Sequence, residues 1–277
     1  MARQRSKPSR RKSGRRRGNG DNNTLWYFAI AVCLGLVIGV AIVSQRLITA
    51  GHVDDKTLCH SGGPLNATVI LLDLTDPLSA TQQARLKSIL GNEVAGSSVD
   101  TMIAIGVVSE DPAKWGARFA KCKPATGEDA NGLYENPTII AERYTREFTF
   151  PIQNTLHSML TGESENQSPI MEALQSLISE TPDFSKAMGH RKIIIVSDML
   201  QHSDNLSFYR GQGWDFFAKQ NGSQRLAGNL SGVIVEILRI PRTGGKTPSA
   251  EITEDFWARY FDRQGSRPPS VSSLGDL

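Results

Sequence analysis

Charged residues are absent from one long stretch near the start of the chain. Residues 25–43 contain none, and a helix of this length, at about 1.5 Å per residue, comes close to the hydrocarbon thickness of a bilayer. A cleavable signal peptide is the alternative, but its apolar core is usually only about 7–15 residues long and is followed by a small-x-small cleavage site. We therefore predict an uncleaved transmembrane helix over residues 25–44.

Acidic residues are absent from the first seventeen residues, which hold nine Lys or Arg. Such a segment cannot bury enough apolar surface to fold, so we predict a disordered basic tail over residues 1–24. Basic residues ahead of the apolar run place the N-terminus in the cytoplasm and everything after the run outside it. A short basic tail without a cleavable signal is typical of a single-pass protein of a bacterial inner membrane with its domain in the periplasm.

The basic charge is confined to this tail, and the rest of the chain has more acidic than basic residues. Nucleic acid is therefore not expected as a partner of the folded domain. We expect the tail to set the membrane topology and to contact anionic lipid.

Cysteine is scarce, with three residues in 277, and no Cys-x-x-Cys or Cys/His spacing suggests zinc. Cys33 lies in the apolar run, which leaves Cys59 and Cys122 on the outer side. Two cysteines in an oxidising compartment typically pair, so we predict a Cys59–Cys122 disulfide. Two unrelated thiols are the alternative.

Common enzyme signatures are also missing. A phosphatase-type Asp-x-Asp is excluded because Thr75 stands where the second Asp should be, and there is no Gly-x-Ser-x-Gly or His-Glu-x-x-His. The five histidines are scattered along the chain. We therefore predict that the protein is not an enzyme.

Apolar runs alternate with helical patterns in the remaining sequence. Four runs predict buried strands (68–74, 102–108, 191–197 and 232–240), and helices are predicted at 79–90, at 138–160 with a bend at Pro151, from Ser168, and at 252–261. This order predicts an α/β fold with a doubly wound, mostly parallel sheet over residues 67–262. It follows a linker at 45–66 and precedes a flexible C-terminal tail at 263–277.

Oxygen-bearing side chains stand where these elements end. They follow the first and third strands or precede a helix: Asp73, Thr75, Asp76, Ser168 and Asp198. In a doubly wound sheet the carboxyl ends of strands meet at one crevice, so these residues are predicted to converge. Such oxygens suit Mg²⁺ or another divalent cation. Capping and loop hydrogen bonds are the alternative roles of Asp73 and Asp198, and Asp76-Pro77 reads equally well as a turn before a helix.

With these residues in place, the chain resembles a von Willebrand factor type A-like domain from about Ala67 to Phe261. That family carries a metal-ion-dependent adhesion site, made of an Asp-x-Ser-x-Ser loop, a Thr in a middle loop and an Asp after a later strand. The resemblance implies that Asp73 and Thr75 match the first loop, Ser168 the middle loop and Asp198 the last Asp.

Three departures from the family pattern indicate a degenerate site. Pro77 stands in place of the second Ser, Met199 stands where the family often has Gly, and no third edge strand is evident after Val108. One direct oxygen ligand is thus missing, and Asp76 is the residue that could replace it.

The function predicted from the sequence is a membrane-anchored extracytoplasmic binding module that recognises a partner protein, with a divalent-metal site at the carboxyl ends of the strands. We expect Asp73→Ala to abolish partner binding and to leave the fold largely intact. An extracytoplasmic metal-assisted hydrolase is the first alternative, and an accessory subunit with an empty site is the second.

Overall fold

The structure is a computed structural model that describes residues 22–50, 53–131, 135–162, 164–220, 228–242 and 248–275. Within the first range, side chains are described at 26–42 and 44. The chain forms two compact units, Met1–Thr49 and Ala50–Leu277. The basic residues of the predicted cytoplasmic tail lie outside the described residues.

The described residues of the first unit lie in α1 (Asn22–Ala50). Its described side chains, from Trp26 to Ile42, are exposed and almost all apolar. Among the residues that the structure describes, no helix is both long and apolar enough to cross a membrane. The structure therefore gives a helix that starts before and ends after the predicted 25–44 segment, but it does not support the transmembrane span, which stays a prediction.

The second unit is built on a six-stranded sheet in the order β3-β2-β1-β4-β5-β6. The strands are β1 (Asn66–Leu72), β2 (Thr101–Val107), β3 (Phe119–Cys122), β4 (Arg191–Ser197), β5 (Ile234–Arg239) and β6 (Ser270–Ser273). All neighbouring pairs are parallel except β2 with β3. This confirms the predicted doubly wound, mostly parallel α/β sheet, and the architecture fits a von Willebrand A or Rossmann-like fold.

Helices cover both faces of this sheet. They are α2 (Ala80–Gly96), α3 (Pro137–Tyr144), α4 (Phe150–Leu160), α5 (Ile170–Glu180), α6 (Trp214–Lys219) and α7 (Ala250–Arg263). Alternate residues of a strand point to opposite faces, so Val69 and Leu71 pack with α5 and α7, whereas Ile70 and Leu72 pack with α2 and α4. The central strands are apolar on both faces because both faces are buried.

The helix predicted at 138–160 is divided into two α-helices just before Pro151. A single π-helical turn (Thr145–Thr149) joins α3 to α4, and Pro151 falls in the first turn of α4. Proline has no N–H and its ring crowds the carbonyl four residues earlier, so a locally widened backbone just before it accommodates the ring.

Three segments differ from the sequence prediction. The edge strand not found after Val108 is β3, which escaped notice because it is four residues long and carries Lys121. The 263–277 segment is not a loose tail throughout, since β6 pairs with the outer edge of β5 and Leu274 is fully buried. Composition suggested disorder there, but an open strand edge provides backbone partners regardless of side chains.

The predicted linker at 45–66 is also more ordered than expected. Helix α1 continues to Ala50, and beyond it Leu58 and Cys59 are buried. Cys59 forms the predicted disulfide with Cys122, with 4.9 Å between the Cα atoms. The backbone of Cys122 also donates to the Thr57 carbonyl at 2.7 Å, so this segment is fixed to β3 by two bonds.

Candidate functional site at the carboxyl edge of the sheet

The carboxyl edge, defined here as the end of the sheet where β1, β4 and β5 finish, gathers the predicted site residues. Leu72 of β1 pairs with Val196 of β4, and the Asp73 N–H extends this pairing by donating to the Val196 carbonyl at 2.8 Å. Asp73 therefore lies beside Ser197, one residue before Asp198. The parallel register of two neighbouring strands is what brings the two aspartates together.

Asp73 is buried, and its carboxylate is held by hydroxyl groups on both oxygens. Oδ1 accepts from Thr75 Oγ1 at 2.7 Å, and Oδ2 accepts from Ser168 Oγ at 2.8 Å and Ser197 Oγ at 2.7 Å. The exposed fraction of Asp73 is 4%. A buried carboxylate needs such donors, because an unpaired buried charge is strongly destabilising.

Ser168 lies in a loop that is hydrogen-bonded to a second loop, and it is not a helix cap. Helix α5 begins at Ile170, after Pro169, whereas the predicted start had Ser168 as N-cap. The backbone of Ser168 exchanges two hydrogen bonds with His202, both at 2.9 Å. This bridge ties the loop before α5 to the loop after β4 and aims the Ser168 hydroxyl at Asp73.

Asp198 follows β4 in a sharp turn. Met199 has a left-handed backbone (φ 65°), which is uncommon for a residue other than glycine. The domains that the sequence resembles often have glycine at this position, and glycine adopts a left-handed backbone without strain. The turn is held because Leu200 N–H donates to Asp198 Oδ1 and the Trp257 indole N–H donates to the Met199 carbonyl, both at 2.8 Å.

The electrostatic environment of Asp198 is unfavourable for a charged carboxylate. Burial raises its pKa to about 6, and the negative charge of Asp73 acts in the same direction. The Leu200 N–H and the positive charge of Arg242 oppose the rise in pKa. The two carboxylates are therefore close enough to repel each other, which supports the predicted convergence.

Arg242 is a site residue that the sequence prediction missed. It lies in the loop after β5, and its Nε contacts Asp198 Oδ2 at 2.8 Å. Its other guanidinium nitrogens contact the Asp76 carboxylate and the Tyr209 hydroxyl, and its Cζ lies 5.8 Å from the centre of the Tyr209 ring. The same strand-end argument that selected Asp73 would have found Arg242, because Arg242 lies two residues after the predicted strand at 232–240 and three residues after β5.

These groups line a polar cleft of about 410 Å³. Its three apolar lining residues are Pro77, Ile240 and Pro241, and the others are polar or charged. Two exposed residues contact Arg242 from the rim of the cleft. The side chain of Asp76 is 60% exposed, and Tyr209 as a whole residue is 43% exposed. The cleft therefore offers charge and hydrogen bonds rather than an apolar pocket of the kind that encloses small molecules.

As arranged, the donor set does not fit the divalent cation predicted from the sequence. Asp198 and Asp76 both form ion pairs with Arg242, and Pro77 supplies no side-chain oxygen. In the part of the chain that the structure describes, there is no group of three His, Cys, Asp or Glu residues that could hold a metal ion. A divalent ion would also meet the fixed positive charge of Arg242 at close range.

Comparison with known proteins gives structural neighbours only. No protein-family model and no curated protein matches the chain. Similar solved structures include a von Willebrand factor type A protein from Catenulispora acidiphila (12% identity, TM-score 0.35), human COPII-coat protein Sec24c (9%, 0.40) and manganese-loaded Plasmodium vivax TRAP protein (10%, 0.35).

Each match covers 77% of this chain, but only 39%, 30% and 70% of the respective matched chains. The chain thus spans less than half the length of the first two proteins. Scores of this size do not by themselves place the chain in a family, and the strand order given above is what defines the fold.

Proposed function

We propose that this chain is a single-pass membrane protein whose extracytoplasmic α/β domain binds a partner protein at the carboxyl edge of its sheet. The observation that carries the proposal is the convergence of loops from β1, β4 and β5 on one polar cleft with an exposed rim. Ligand sites of doubly wound sheets lie at this end, where the topology brings separate loops together.

The rim has the residue types that anchor protein interfaces. Tyr209 is 43% exposed and its ring lies against the guanidinium of Arg242. Tyrosine and arginine are enriched among the residues that dominate binding energy between proteins. A rim of aromatic and charged groups around a polar cleft therefore favours a macromolecular partner.

Binding is favoured over catalysis because the hydroxyl groups that surround Asp73 are buried. Thr75, Ser168 and Ser197 are each less than a tenth exposed, and all three donate to the same carboxylate. A hydrolase of the predicted alternative kind would need a nucleophile or an activated water that can reach its substrate. We therefore propose a role that is not enzymatic.

Placement at the membrane rests on the sequence and on the disulfide. The uncharged run at 25–43, carried by α1, is the proposed anchor, and the basic tail is the proposed contact with anionic lipid. The Cys59–Cys122 bond is typical of an oxidising compartment such as the periplasm. A reporter that is active only outside the cytoplasm, fused after Leu277, should be active; activity from a cytoplasmic reporter alone would contradict the topology.

The test of partner binding is an affinity capture of the full chain from detergent-solubilised membranes of its host. Tyr209→Ala should reduce retention of the specific partner at least tenfold. Met188→Ala is the matched control, because Met188 is exposed (77%) and precedes β4 at the opposite end of the sheet. Equal retention by wild type and Tyr209→Ala, with loss in Met188→Ala, would place the interface elsewhere.

A divalent cation at this edge stays a prediction from the sequence. The capture should therefore be repeated in chelator and in added Mg²⁺, so that a metal-dependent and a metal-independent interface give different results.

A further inference from the structure

The guanidinium of Arg242 is held on several sides at the centre of the carboxyl edge. It contacts the carboxylates of Asp198 and Asp76, and it meets both the hydroxyl and the ring of Tyr209. The loop that carries it is fixed to the neighbouring strand, because Ile240 N–H donates to the Ser197 carbonyl at 2.9 Å. Arg242 is thus positioned by the fold rather than by a single surface ion pair.

The two carboxylates that Arg242 contacts are residues that the sequence assigns to a divalent cation. Asp198 follows β4, and Asp76 lies in the loop after β1, next to Pro77, the position at which an oxygen ligand is missing. A guanidinium has a delocalised positive charge and a planar fork of donors that matches carboxylate oxygens. It can therefore supply, from within the chain, positive charge between carboxylates that would otherwise repel each other.

We propose that Arg242 is the resident cation of the carboxyl edge and replaces the divalent ion that the family resemblance predicts. The chain thereby keeps the strand-end carboxylates of an adhesion-type site but makes the site independent of metal. This inference rests on the proposed function in taking the carboxyl edge as the binding surface, and it adds that partner binding there needs no free divalent ion.

The proposal makes Asp73 and Asp198 unequal. Asp73 is satisfied by three hydroxyl groups and does not contact Arg242, whereas Asp198 depends on Arg242 for its opposite charge. Removal of the Arg242 charge should therefore leave Asp73 in place and leave the carboxylates of Asp198 and Asp76 without a positively charged partner. A divalent ion is the simplest species that can meet it.

The experiment is a Mn²⁺ and Mg²⁺ titration of the full chain in detergent, followed by calorimetry and by the melting temperature in chelator. Wild type should show no measurable ion binding at millimolar concentration and no shift of the melting temperature. Arg242→Gln should melt lower in chelator, bind Mn²⁺ at least tenfold more tightly than wild type, and recover melting temperature on addition of the ion.

Two control variants separate charge from loss of structure. Arg242→Lys keeps a positive charge at the same place and should remain insensitive to the ion. Arg239→Gln removes another ion-paired arginine at the end of β5, which contacts Glu254 on α7, and should behave as wild type.

The proposal is overturned if wild type itself binds Mn²⁺ or Mg²⁺ and is stabilised by it. It is equally overturned if Arg242→Gln gains no ion binding, or if Arg242→Lys gains as much as Arg242→Gln. Failure of the proposed function is a separate result: if Arg242→Gln gains Mn²⁺ binding but Tyr209→Ala retains the partner, the resident cation stands and the interface assignment falls. If partner capture requires a chelatable ion, the interface stands and the resident cation falls.

Discussion

The two ends of the sheet both carry polar side chains but use them differently. At the amino edge, where β1 and β4 begin, the carboxylates have a direct cationic partner: Lys192 contacts Glu93 at 2.9 Å and Glu236 at 3.0 Å. Asn66 there donates to Ser98 and accepts from the His190 backbone. At the carboxyl edge Asp198 and Asp76 share Arg242, whereas the buried carboxylate of Asp73 beside them is held by hydroxyl groups and not by a cation.

This difference distinguishes polar residues that stabilise the fold from polar residues that we propose bind a partner. At the amino edge the Cys59–Cys122 disulfide closes the structure around β3, and each of these polar groups has a partner. At the carboxyl edge the pKa of Asp198 is raised by burial and by Asp73. Strained electrostatics in a cleft mark functional sites more often than stability devices, so the carboxyl edge is the candidate site.

The largest loss of stability is expected from a substitution at the amino edge. Cys122→Ser removes the disulfide, whose cysteines are 63 residues apart. The chain-entropy model for a loop of this length gives a loss of about 4 kcal/mol in the free energy of unfolding. Urea denaturation of the oxidised protein measures this loss. Cys33→Ser is the control and should have no effect, and an equal loss in both variants would contradict the assignment.

A smaller loss is expected from the carboxyl edge. Asp73→Ala leaves the hydroxyls of Thr75, Ser168 and Ser197 without their acceptor, and relief of repulsion at Asp198 offsets only part of the cost. We expect a loss of about 2–3 kcal/mol, since buried donors that lose a partner cost roughly 1–3 kcal/mol each. This replaces the sequence-based expectation of a largely unaffected fold.

Denaturant unfolding of Asp73→Ala and Asp73→Asn measures the effect. Asparagine keeps one carbonyl oxygen as acceptor, so it should lose less stability than alanine. Stability of Asp73→Ala equal to wild type would mean that the hydroxyl cluster contributes nothing to the fold.

The pH dependence of stability should show the imbalance at Asp198. Its pKa of about 6 in the folded protein lies above the ordinary value of 3.8, so the folded state binds the proton more tightly than the unfolded state. The charged form therefore costs stability above pH 6, and this cost decreases as the pH falls through 6 towards 4. Linkage gives a gain of about 1 kcal/mol for wild type relative to Asp198→Asn between pH 7 and pH 5.

Unfolding of both proteins at several pH values measures this difference. Asp73, Asp76, Tyr209 and Arg242 face Asp198 and are present in both proteins, so the comparison isolates Asp198. A difference that stays constant or changes in the opposite direction would contradict the raised pKa.

Strands that are buried on both faces could be predicted well because their apolar runs have few alternatives. The predicted strand at 191–197 has the bounds of β4, and the convergence of Asp73 and Asp198 follows from parallel topology alone. The edge strand β6 could not be predicted, because its Ser-Val-Ser-Ser sequence depends on backbone pairing with β5 rather than on its own side chains.

The site could be predicted only in part. Asp73 and Asp198 are fixed by strand ends and carry the oxygen atoms that a metal site needs. Arg242 also follows a strand end, but the sequence prediction considered only oxygen ligands there and so passed over a guanidinium. Ser197 was overlooked because it is the last residue of a buried strand, where we expected a packing role and not a hydrogen bond to a site carboxylate.

Site-specific photo-cross-linking tests most directly whether the carboxyl edge is the binding surface. A photoreactive phenylalanine analogue is placed in the full chain at Tyr209 or, as the amino-edge control, at Met188, both of which are exposed. The account predicts a discrete cross-linked partner from position 209, unchanged by chelator, and none from position 188. A partner cross-linked from position 188 but not from position 209 would contradict it.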